Sequence, residues 1–447
     1  MSDPNNSSTH SRIALRGDLL DFGGAPAWGA TEDAAVRLRP GHWLLIENGR
    51  IHAVQAEDPG PGWAREDFGD RLILPGFVDT HVHAPQLDVI ASYGSELLDW
   101  LERYTFPAEC RYADPAVARA GAVRFLDALL DHGTTAAVVF PTVHKVSAEA
   151  LFEAARARGM RLIAGKVLMD RNARDGLRDD VAGAERDCVD LIDRFHGVDR
   201  LAYAVTVRFA PTSTPAQLAM AGSLCRADPS LYMQTHVAEN RAEVDWVARL
   251  FPQARSYLDV YAAAGLIHAR SVLAHGIWLD DADRRLLREA GAQIAHCPSS
   301  NLFLGSGLFD WPGAREGRIS LASDVGGGTS LSMLRNAQDA YKIQALRGAR
   351  LTAWVALHAA TRGAAEALGL DKEIGSFDAG CVADVCVWDR AQGAVAATRD
   401  ALAAASGDAH ERVFAWATLA DERNLHAAYV AGRAVRRNPR AAAQAGA

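Results

Sequence analysis

The amino-acid sequence predicts a (β/α)8 TIM-like barrel with a small β-sandwich built from both chain termini. Eight short apolar segments alternate with helical stretches rich in Ala, Leu and Arg. Histidines and acids recur at the downstream ends of those segments, where a barrel keeps its active site. The two ends of the chain read instead as short strands separated by turn residues.

The first residues, 1–12, are polar, rich in Ser and Asn, and carry no apolar run, so they read as a disordered lead and not a signal peptide. Strand-like pieces at 13–20, 36–47, 51–54 and 71–74 supply the N-terminal part of the sandwich, 13–74. The barrel is expected over 75–370, with strands at 78–83, 134–140, 161–169, 201–209, 231–236, 271–275, 292–297 and 319–324. Between them lie helical patterns such as 115–132, 148–158, 181–195, 215–227 and 280–290. Helical stretches around 352–368 lead back to the flank. Its C-terminal part, 371–437, contains strand-like pieces at 374–389 and 426–435 and an Ala-rich helix or loop at 394–405; residues 438–447 read as a tail. No repeat of 20–50 residues marks a solenoid.

Bulk composition narrows the function. With 447 residues, 49% hydrophobic and 23% charged, the chain can bury a large core. A net charge of −8 without a basic stripe argues against nucleic acid as the main partner. The six cysteines form no Cys-x-x-Cys pair, which fits reduced thiols in a cytoplasmic protein, and Cys297 reads as a small buried apolar side chain. No apolar run approaches ~18 residues, so no membrane span is expected.

The chemistry-bearing residues sit at the strand ends. His81 and His83, spaced i, i+2 on a strand, point to one side and can grip one ion. His236, His275 and Asp324 each end a later apolar run. Neutral imidazoles with a carboxylate suit Zn2+ or Fe2+, with one position left for water. Glu239, just past His236, is placed to shuttle a proton; a solvated charge at a helix N-terminus is its bland alternative. The His-x-Glu with Pro-Cys-x-x-Cys signature of the cytidine-deaminase fold is absent. Lys166 falls on the third strand and the fourth ends in Arg208, so no bridging lysine is expected and one metal is favoured. Arg208 presents a planar donor fork for a carbonyl oxygen or ring nitrogen. His296 reads as a supporting or structural residue, and His52, His132, His196, His268, His358 and His410 as unrelated to the site. The run Gly326-Gly327-Gly328-Thr329 reads as a loop that must approach the site closely.

These residues lie inside longer stretches that carry a resemblance. PGFVDTHVHAPQLDVIASYGSELLDWLERYTFPAE (75–109), GKVLMDRN (165–172), VRFAPTSTP (207–215), THVAEN (235–240), LAHGIWL (273–279), HCPSSNLFLGSGLF (296–309) and LASDVGGGTSLSM (321–333) are similar to guanine deaminases of the amidohydrolase superfamily. GSFDAGCVADVCVWD (375–389) resembles the superfamily's C-terminal return into the β-sandwich, so the likeness spans about 13–435. The resemblance implies one Zn2+ per subunit held by His81, His83, His236 and Asp324, and hydrolysis of guanine to xanthine and ammonia in purine catabolism. It implies that Gln86 and Arg208 hydrogen-bond the purine, Arg208 on the O6 side, while Trp100 and Phe209 shape or stack against the ring and His236 borders it. By the same resemblance Glu239 carries a proton to the ring nitrogen. His275 orients the water, and Asp324 takes its proton and relays it to the leaving amine. A homodimer is implied as well. Val207 departs from the family's usual Pro before the Arg-Phe pair and leaves that loop freer. Fe2+ in place of Zn2+ stays open at this point. So do a related aminohydrolase acting on a pterin, cytosine, triazine or oxidised purine, and a catalytically silent barrel that binds a partner.

Overall fold

The computed structural model describes residues 12–94 and 97–437. The expected lead and tail, save Arg12, lie outside the described residues.

Eight parallel strand positions follow one another around the barrel: Phe77–His83, Thr134–Phe140, Arg161–Ala164 with Val167–Leu168, Leu201–Val207, Tyr232–Val237, Ser271–His275, Gln293–His296 and Arg318–Leu321. The third differs from the single strand expected at 161–169. It breaks at Gly165-Lys166, where a Cβ on Gly165 would stand 1.8 Å from the Ala204 carbonyl oxygen. Small side chains fill the interior. Val78, Ala136, Val138, Ile163, Ala202, Ala204, Val272, Ala274, Ala295, Cys297 and Ala322 form one buried cluster. The helix Arg362–Leu368 closes the far end with Ala364, Ala365 and Leu368, and Tyr232 donates its hydroxyl to the Leu368 carbonyl at 2.8 Å. Alternate residues such as Val139, Leu162, Val205, Leu273 and Leu321 face outward into the larger core under the helices. Buried on both faces, these strands show apolar runs without alternation, as parallel strands do.

Between the last and first strands, closure runs through individual bonds. The Asp324 amide donates to the His81 carbonyl at 2.9 Å, and the His83 amide to the Val325 carbonyl at 3.0 Å. Asp79, fully buried, accepts from the Ser323 amide at 3.0 Å, from the Ser323 hydroxyl, and from the His81 amide at 3.3 Å. Burial pushes its carboxyl up to about 6 despite those donors.

The β-unit from both termini is one hydrogen-bonded sheet of seven strands. Val385–Trp388 lies antiparallel between Ala64–Pro75 and Leu425–Val430, so it joins a C-terminal block of three strands to an N-terminal block of four. The outer strand Arg50–Gln55 folds back on the approach to Val385, with Ile51 N donating to Cys381 O at 2.8 Å. Of the strand-like stretch 374–389 only Val385–Trp388 is strand. The Ala-rich stretch is the helix Ala394–Ser406.

Asp79→Ala is expected to lower the unfolding free energy by about 3 kcal/mol, since it strands buried donors at the seam. Chemical denaturation checks this.

Candidate metal centre and active site

Local backbone devices aim the side chains. A register shift between Asp79 and Val82 inserts one residue into the first strand. Val78 thus faces the barrel interior while His81 and His83 still reach the mouth, the re-aiming a β-bulge performs. His275 and Asp324 take left-handed backbone conformations, with φ of 71° and 50°. Each such residue costs about 1–2 kcal/mol and persists where the surroundings over-determine it. Asp324 lies three residues beyond the end of its strand, not at the strand terminus as the sequence suggested. The glycine run after it is needed for fit: a Cβ on Gly328 would stand 1.8 Å from the Ser323 carbonyl oxygen.

His83 Nε2 lies 3.2 Å from His81 Nε2, 3.1 Å from His236 Nε2 and 3.3 Å from Asp324 Oδ1, while His81 Nε2 lies 3.1 Å from the same oxygen. One ring nitrogen cannot serve that many hydrogen bonds. Donors about 2.0–2.1 Å from a tetrahedral ion stand roughly 3.3 Å from one another, so the set fits a single cation. Its electronic state fits too. His236 Nδ1 donates to the Arg208 carbonyl at 2.6 Å, which leaves the Nε2 lone pair facing its neighbours. Burial lowers the His83 pKa to about 3, and burial with the adjacent imidazoles holds His236 well below its ordinary value. Burial works to raise the Asp324 pKa, but hydrogen bonds from His81 and His83 outweigh it and keep the carboxyl well below the usual range. Phe140 packs against all three imidazoles with ring centroids 4.7 to 5.0 Å apart. His275 also offers a donor within 4.8 Å of those of His81, His236 and Asp324. The tighter set is nevertheless His81, His83, His236 and Asp324, because His275 Nε2 stands 3.6 Å from the other Asp324 oxygen, Oδ2.

Glu239 lies 3.4 Å from His275 Nε2 through Oε2, and Ser306 donates to its Oε1 at 2.8 Å. It is 3% exposed, which removes the solvated reading. Burial, then the Asp324 charge, push its pKa up to about 8. An Asn240-Glu243 capping box opens the helix Arg241–Leu250 and fixes the backbone here: Glu243 Oε2 accepts from the Glu239 and Asn240 amides at 3.0 and 3.2 Å. His275 Nδ1 meets Asn301 Oδ1 at 2.8 Å, which leaves Nε2 facing the site.

A cavity of about 420 Å³, mouth included, covers this cluster. Gln86, Trp100, Arg208 and Phe209 line it together with His83, His236, Glu239, His275 and Asp324. The structure thus brings together every site residue the sequence singled out. Buried Glu109 lies behind the wall: Arg208 Nη1 donates to its two oxygens at 2.7 and 2.6 Å, and Gln86 Nε2 donates to Oε1 at 3.2 Å. Sequence reasoning missed Glu109, Asn301, Ser306 and Glu243 as participants. The first three lay inside the resembling stretches at 75–109 and 296–309, which was the available signal. Lys166 lies elsewhere, paired with Asp179 at 2.7 Å, and His296 is buried against Phe309 with ring centroids 4.6 Å apart. None of His52, His132, His196, His268, His358 or His410 lines the cavity.

A barrel whose mouth gathers four histidines, an aspartate and a buried glutamate is the architecture of a metal-dependent hydrolase. The chain belongs to the amidohydrolase family, whose family model matches residues 72–435. It is 41% identical to the guanine deaminase of Escherichia coli K12 over 96% of this chain and 99% of the relative. The crystal structure of guanine deaminase from Bradyrhizobium japonicum superposes with a TM-score of 0.93 at 32% identity, covering 96% of this chain and all of that one. Guanine deaminase from C. acetobutylicum, solved with guanine bound in the active site, gives 0.86 at 25% identity, covering 95% of this chain and all of that one.

The purified protein is expected to take up one divalent ion per chain, and His83→Ala to lose it. Elemental analysis after dialysis checks both.

Proposed function

We propose that this protein is a guanine deaminase, converting guanine and water to xanthine and ammonia with one Zn2+ held by His81, His83, His236 and Asp324. The observation that carries this is the pairing, in one cavity, of a four-donor cluster with the Gln86–Arg208 wall, in a chain closely similar to guanine deaminases. No helix among the described residues is long and apolar enough to cross a membrane. In this reading the enzyme is a cytoplasmic homodimer serving purine catabolism.

The ion, when bound, supplies Lewis acidity that activates a water at neutral pH. The protein's own groups then divide the proton work. Glu239, held protonated near neutrality by burial and by Asp324, delivers a proton to the purine ring nitrogen beside C2. Ser306 fixes one of its oxygens and leaves the other toward His275. His275, anchored by Asn301, accepts a hydrogen bond from the attacking water and orients it. Asp324, ionised, takes the proton of that water and passes it to the leaving amine. Gln86 and Arg208 hold the carbonyl edge, with Arg208 on O6, while Trp100 and Phe209 form apolar walls that exclude solvent.

Guanine absorbance is expected to fall as xanthine appears, and a chelator to stop it. Brisk turnover of a pterin, cytosine, triazine or oxidised purine beside negligible turnover of guanine would overturn the substrate assignment. Glu239→Gln is expected to keep the fold and metal content but cut kcat by about 10²-fold or more, as read by steady-state kinetics.

A further inference from the structure

Glu109 is fully buried and Arg208 is 3% exposed, so their pairing is a contact between two desolvated charges. Both carboxylate oxygens are met by the same nitrogen, Nη1, and Nη2 of Arg208 has no acceptor among the described residues. The Gln86 amide is fixed at both ends. Its Nε2 gives one hydrogen to Glu109 Oε1, and its Oε1 accepts from the Gly326 amide at 3.2 Å. A flipped amide would set oxygen against carboxylate and N–H against N–H. The wall therefore offers a ligand N–H donors of fixed direction and no uncompensated positive charge.

We propose that Glu109 sets the charge preference of this wall: by neutralising Arg208 and locking Gln86, it makes the pocket select the uncharged lactam edge of an oxopurine and reject its ring-deprotonated anion. The inference rests on the guanine reading above and extends it to product release. Deamination replaces an amino group by a second carbonyl beside a ring N–H, which makes the product a stronger acid than the substrate. Xanthine thus ionises near neutrality where guanine remains neutral. A bare buried guanidinium would hold that anion through a charge-assisted bond. Paired with Glu109, Arg208 gives the neutral substrate its hydrogen bonds and gives the anionic product no net attraction, a specificity achieved by removing an attraction. Glu109 is a positioning residue, since it acts through Arg208 and Gln86. The other ionisable groups facing the cavity are His83, His236, Glu239, Glu243, His275 and Asp324. All are shared by wild type and variant, so a comparison at each pH cancels their contribution.

The test compares the wild-type holoenzyme with Glu109→Gln for guanine kcat and KM and for inhibition by xanthine, on the acid and alkaline sides of neutrality. The guanine KM is expected to rise roughly tenfold with kcat changed much less, and xanthine to inhibit the variant roughly tenfold more tightly than wild type, the size of one charge-assisted bond. The xanthine gap should widen toward alkaline pH. Equal weakening of guanine and xanthine, the signature of a merely structural pair, would overturn the proposal, as would a gap indifferent to pH. Should the variant not fold, equilibrium dialysis of xanthine against Glu239→Gln, which keeps Glu109 and removes the cavity carboxyl that titrates in this range, decides: binding that weakens as pH rises supports the inference, and binding that tightens refutes it. Wild type that turns over no guanine defeats the functional reading separately, because the dialysis result does not depend on turnover.

Discussion

Everything at the mouth of the barrel depends on one electrostatic demand. Three imidazole nitrogens and a carboxylate oxygen lie within 3.3 Å of their neighbours in a site that excludes bulk water. Lone pairs so crowded repel, and burial disfavours protonating the His83 and His236 rings. A cation relieves both problems at once. The surrounding features follow from that demand: the bulge that turns His81 and His83 inward, the left-handed backbone at His275 and Asp324, and the glycines that let the Asp324 loop come close.

The same low polarity governs the acids around the ion. Glu239 and Asp324 share one cavity but are driven in opposite directions, the first upward by burial and the second downward by its histidine partners. Two carboxyls of separated acidity are what a hydrolysis needs, one to give a proton and one to accept it. Glu109 is a third case. Its charge is matched to Arg208 at close range, so it shapes recognition without joining the proton transfers.

The barrel was legible because parallel strands buried on both faces leave apolar runs, and because Cβ alternation puts His81 and His83 on one side. The helices 181–195 and 215–227 were legible down to their ends, where Asp180 and Thr214 cap them. The first strand's extra residue was hidden, since a bulge changes register without changing composition. So was the break at Gly165-Lys166, which answers to a backbone contact on the neighbouring strand. Pairs distant along the chain escaped for the same reason: Glu109 with Arg208 and His275 with Asn301 exist only once the barrel closes. The resemblance picked the four-donor set, but His81, His83, His236, His275 and Asp324 were visible as candidates by residue type and position alone. The residues that orient them and their neighbours were not, because Asn, Ser and Glu serve so many local purposes.

The seam between the N-terminal and C-terminal halves of the sheet has a consequence for biosynthesis. Ala64–Pro75 leaves the ribosome some three hundred residues before Val385–Trp388, the strand that must lie beside it. Until then the nascent chain carries an open strand edge with Leu72, Ile73 and Leu74 along it, an invitation to intermolecular pairing. The emerging barrel or a chaperone must shield that edge, and a message truncated before codon 385 would yield a chain prone to aggregate even though its catalytic side chains are all present.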